Sequence, residues 1–137
     1  MALVTIDGAA VRKIWVGLAW CGVALIIFLS LTPSPPDIDL GRFGDKYEHV
    51  AAYALLTLWF CQAYLAHAQR RRTSLLLVAL GIALEFAQRA TGLRTFEVAD
   101  MAAGALGVGV GWLLAPPRLP NLLLLAQSFL TRGGGDC

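Results

Sequence analysis

The chain has 137 residues, of which 58% are apolar and 15% charged, with a mean hydropathy of +0.67 and a net charge of +2. Soluble domains carry about 25% charged residues, so this composition argues against an ordinary soluble enzyme and against a disordered chain. The charge is too small to suggest a nucleic-acid partner. Length allows one domain, spanning residues 1–137, and is too short for the duplicated halves of a secondary transporter unless the chain pairs with a copy of itself. Cys21, Cys61 and Cys137 form neither a disulfide framework nor a zinc spacing.

Four apolar runs, at about 14–31, 50–66, 74–90 and 98–115, each approach the ~20 residues that cross a ~30 Å hydrocarbon layer as a helix. They predict an all-α polytopic membrane protein with four transmembrane helices. Arg12 and Lys13 precede the first run. It is too long for the apolar region of a signal peptide, and residues 31–36 offer no small-x-small cleavage site, so it reads as a retained signal anchor. The second run opens on Asp45-Lys46-Tyr47-Glu48-His49, with Tyr53 one turn beyond His49 on the same face. Asp45 and Glu48 also fit a capping box, which leaves His49 and Tyr53 without an explanation.

The third run carries Glu85, about six residues or ~9 Å inside the helix end. A charge at such a depth costs about 2.5–3.5 kcal/mol unless it is paired or neutral. Arg89 stands one turn on and can pair with Glu85 locally, although its long side chain favours reaching outward. Gln88 shares that turn. Arg94, Glu97 and Asp100 follow in the turn before the fourth run. Acids there complement a helix N-terminus, and Arg94 can serve as a partner for Asp100 or as a donor to a phosphate or carboxylate. Gly107 and Gly111 in the fourth run make a small-xxx-small pair, suited to close helix packing within the chain or in a homodimer. Pro116, Pro117 and Pro120 end the fourth helix. Residues 116–137 then hold a short apolar helix at about 122–130, expected at the membrane interface, and a glycine-rich tail expected to be flexible.

Seven basic residues fall on the side of the termini and four on the other side. The positive-inside rule therefore predicts both termini in the cytoplasm. Seven of the nine acids then fall in the outer half. The start of the second helix, the end of the third and the start of the fourth share one depth there. His49, Tyr53, Glu85, Gln88 and Asp100 converge on that layer.

Asp45-Lys46-x-x-His49-x-x-x-Tyr53, then Glu85-x-x-Gln88, then Arg94 and Asp100 followed by Gly107 and Gly111, resembles the VanZ-like family. The resemblance covers about residues 31–114. It implies a small bacterial membrane protein of the cell envelope, in a family whose founding members are associated with low-level teicoplanin resistance. By resemblance, Asp45, Lys46, His49, Tyr53, Glu85, Gln88, Arg94 and Asp100 match the family's polar positions. Gly104 stands where the family often has Asn.

Three functions compete. In the first, Lys46 and Arg94 hold the anionic headgroup of a lipid or lipid-linked envelope precursor, Glu85, Asp100, His49 and Tyr53 orient it by hydrogen bonds, and Asp45 and Gln88 help to bind it. In the second, the chain is a hydrolase or transferase acting on a lipid-linked substrate. His49, the imidazole on the site side, then acts as acid or base, with Glu85 and Asp100 as proton partners and an activated water in place of a Ser or Cys nucleophile. His49, Glu48, Glu85 and Asp100 can also ligate a divalent cation, although no spaced metal motif is present, so no cofactor is expected. In the third, the chain is a small transporter or regulatory partner whose acids face a dimer cavity. The missing nucleophile and metal motif favour the first.

Overall fold

The computed structural model describes residues 7–33, 44–92 and 95–132. Arg94, the segment 34–36 and the tail 133–137 lie outside them. Among the described residues the chain is all helical, with α1 (Gly8–Leu31), α2 (Gly44–Ala63), α3 (His67–Thr91), α4 (Val98–Leu114) and α5 (Leu122–Arg132), and no strand. The helices outrun the apolar runs at their charged ends. α1 starts at an Asp7 N-cap, whose carboxylate accepts from Ala9 N at 3.1 Å. α3 takes in Arg70, Arg71 and Arg72, because a backbone ladder continues through polar residues wherever side chains reach water, as Arg71 and Arg72 do, or find other acceptors, as Arg70 does. It ends at Gly92, whose φ of 67° closes a left-handed cap on Gln88 O.

α2 touches all four other helices. Tyr53, Leu56 and Phe60 project from it into a core shared with Ala19 and Val23 of α1, Leu77 of α3 and Val108 of α4. Its tightest neighbour is α4. A Cβ on Gly107 would run into the Val50 carbonyl oxygen, and one on Gly111 into that of Ala54. These glycines therefore bring two backbones of one chain together. Both are buried against α2.

α1 and α3 are long and apolar enough to cross a membrane. α4 is apolar but has only 17 residues, and α2 spends its first turn on Asp45, Lys46 and Glu48. Large apolar side chains point outward along the bundle, among them Leu18, Leu25 and Phe28 of α1 and Leu75, Leu76 and Phe86 of α3.

The end of the bundle that holds the start of α1 and the end of α2 is sealed by cations and amides. Arg12 donates to Ala63 O, with its nearer nitrogen at 3.2 Å. Arg70 donates to Tyr64 O, Pro116 O and Cys61 O. These are helix-end carbonyls without intrahelical partners, and a cation suits the negative end of the helix dipole. Trp15 and Trp59 stack with ring centroids 4.3 Å apart, and each indole N–H donates to the other residue's carbonyl. α5 docks at the same end. Its Leu123 is buried with Val11 and Ala63, and Gln62 accepts from Leu122 N at 2.8 Å while its own carbonyl accepts from Asn121. Gln62→Ala is expected to cost about 1–3 kcal/mol by leaving Leu122 N without that acceptor. Amide exchange should then accelerate in α5 while α2 and α4 stay protected; unchanged exchange in α5 would remove Gln62 as its anchor.

Candidate functional site

The opposite end of the bundle gathers the start of α2, the last turns of α3 and the start of α4. Lys46 lies at its centre. Its ammonium is 2.5 Å from Asp45 Oδ2, 2.5 Å from Glu97 Oε2 and 2.9 Å from Asp100 Oδ1. Lys46 donates hydrogen bonds to Asp45 and Glu97 and forms an ion pair with Asp100. Asp45 thus sits inside the first turn of α2 and bonds Lys46 through its carboxylate, rather than capping the helix from in front of it.

Below this rim, His49, Glu85 and Asp100 come from three different helices. One potential ligand atom from each, a ring nitrogen or a carboxylate oxygen, lies within 4.8 Å of the others. Glu85 and Asp100 are 3% and 7% exposed. Glu85 Oε2 accepts from the backbone N–H of Glu97 at 3.1 Å, placing a carboxylate at the N-terminus of α4. His49 Nδ1 is 2.8 Å from the carbonyl oxygen of Asp45, one turn back. A carbonyl only accepts, so Nδ1 carries the hydrogen and the lone pair of the neutral ring is on Nε2.

The remaining expected residues divide. Tyr53 is buried between α3 and α4. Its hydroxyl lies where a Cβ on Gly81 would approach to 3.1 Å, and its ring lies over Gly104. A larger side chain at position 104 would have to share that space with the ring. Gln88 is drawn away from the cluster, since its amide donates to Ser30 O of α1 at 2.7 Å and ties α3 to α1. Arg89 does not pair with Glu85 among the described residues; its guanidinium lies 5.5 Å from the Phe96 ring centroid. Arg94 falls outside the described residues. Arg70 falls between the apolar runs at 50–66 and 74–90, where hydropathy alone makes it a loop charge. With α3 starting at His67, however, Arg70, Ser74, Leu77, Leu84 and Gln88 follow a 3–4 spacing on one buried face, and that phase marks Arg70 as buried.

Compared with known protein families, curated proteins and solved structures, the chain matches none.

Proposed function

We propose that α1–α4 cross the cytoplasmic membrane of a bacterium, with both termini inside and the His49–Glu85–Asp100 cluster toward the outer face. The exposed apolar surfaces of α1 and α3 support this, because a water-facing surface of that kind would drive association. α5 lies along the inner interface. The ordered spacing of the polar residues supports a VanZ-like protein of the cell envelope, and with it a role extending to glycopeptide (teicoplanin) resistance.

The cluster is a site for the polar headgroup of a lipid or lipid-linked envelope precursor. The observation that carries this reading is the convergence of His49, Glu85 and Asp100 from three helices, two of them buried, at one end of the bundle. Helix packing alone needs no such group, and buried ionisable residues at membrane depth mark function. Lys46 is already shared among three carboxylates, so it is not free to hold an anion. The headgroup must offer hydroxyl or amide donors, or arrive with a cation.

A second reading, hydrolysis or group transfer on the same lipid-linked substrate, is favoured by His49. Its Nδ1 hydrogen bond fixes the ring and leaves Nε2 as a base beside two acids. Native mass spectrometry from mild detergent separates the two. An intact lipid adduct that weakens in His49→Ala and Arg94→Ala supports binding. A cleaved or transferred product that disappears in His49→Ala and Glu85→Gln supports catalysis. Neither adduct nor product would leave the cluster as a device for holding helices together.

A further inference from the structure

We infer that His49, Glu85 and Asp100 form a binding site for one divalent transition-metal ion of the zinc or manganese type. The donor set is one imidazole nitrogen and two carboxylate oxygens. This mixture suits ions that accept both nitrogen and oxygen, rather than the all-oxygen shells of calcium or magnesium. The spacing is compatible: donors on opposite sides of an ion at ~2.1 Å stand ~4.2 Å apart, and the donor atoms here lie within 4.8 Å of one another. Side chains from three helices close the gap by small rotations.

Two further observations point to a cation. Asp100 Oδ1 is buried without a hydrogen bond. Lys46 Nζ stands 2.9 Å from it as an ion pair, off the hydrogen-bond direction. A buried carboxylate oxygen in that condition retains coordinating capacity. The second observation is charge. Asp45, Glu97 and Asp100 share the single Lys46 ammonium, and Glu85 adds a fourth carboxylate beside Asp100. Among the described residues no cation forms an ion pair with Glu85. A divalent ion there removes most of the excess negative charge. His49 is already oriented for it, because a metal-bound imidazole commonly donates its other N–H to a backbone carbonyl, and Nδ1 meets Asp45 O.

The ion also bears on the headgroup reading without depending on it, since it would allow an acid-rich site to accept a phosphate. The test reads metal alone. The full chain, purified in detergent and delipidated, is stripped with chelator, exposed to Mn²⁺ and desalted. Metal content is measured by mass spectrometry and the bound ion by electron paramagnetic resonance. Wild type should retain stoichiometric Mn²⁺ whose spectrum carries nitrogen hyperfine coupling from one imidazole. His49→Ala and Asp100→Asn should each lower retention by about tenfold or more, while Gly109→Ala, which faces open space, retains it fully. No retained ion in wild type, or a bound ion without nitrogen coupling, overturns the site, and neither result depends on whether a variant folds. Such a failure leaves any lipid adduct untouched, so the two readings are judged separately.

Discussion

Gly111→Val should be among the most damaging single substitutions in the chain. The new Cβ meets the Ala54 carbonyl oxygen and lies 2.8 Å from Thr57 Cβ. Neither neighbour can rotate away, because one is backbone and the other is buried in the central helix. α4 must therefore move off α2, opening the most extensive contact in the fold. Overpacking a well-filled core costs about 1–3 kcal/mol, and more where backbone must move, so a loss of about 3 kcal/mol is expected. Gly109→Ala is the matched control. It lies two residues away, meets nothing within 4 Å, and replaces a helix-weakening glycine at a gain of about 0.5–1 kcal/mol. Thermal unfolding in detergent should move in opposite directions for the two. Equal behaviour would mean that α2 and α4 are not held at backbone contact.

Arg70→Met should cost a comparable amount for a different reason. The guanidinium satisfies three carbonyls, from Cys61, Tyr64 and Pro116. Hydrogen bonds to a charged group contribute about 1.5–3 kcal/mol each, and water entering the vacated space restores part of that, so a net loss of about 3–5 kcal/mol is expected. Arg70→Lys keeps the charge but cannot fork to three acceptors, and should recover less than half of the loss. Arg71 and Arg72 are exposed, and their substitution should leave unfolding unchanged. If all three arginines behave alike in chemical denaturation, the carbonyl clamp is not holding the turn between α2 and α3.

The helices were legible because each apolar run is close to a membrane thickness, and the prolines at 116, 117 and 120 marked the last break. The polar convergence was legible too. Alternating helix direction places the start of α2, the end of α3 and the start of α4 at one end, and His49, Glu85 and Asp100 are indeed brought together there. What stayed hidden depends on pairing across the chain. Lys46 reads as a free donor in sequence, whereas two of its three carboxylates come from residues more than fifty positions away. Gln88 reads as part of the site by proximity to Glu85, but the helical turn aims it at Ser30. Helix ends were missed because hydropathy records where apolar residues stop, not where backbone hydrogen bonding stops. That error placed Arg70 in a loop and concealed its buried phase.

The arginines that seal one end of the bundle have a consequence for how the chain could change over time. Arg12, Arg70 and Arg118 each donate to a carbonyl at a helix end, and the same three contribute to the charge bias that would orient the chain during insertion. A drift that moved positive charge to the other side would remove these caps together with the bias. In the proposed topology, selection for orientation and selection for folding would act on the same atoms, and a variant that lost these arginines would lose its charge bias together with the caps at that end.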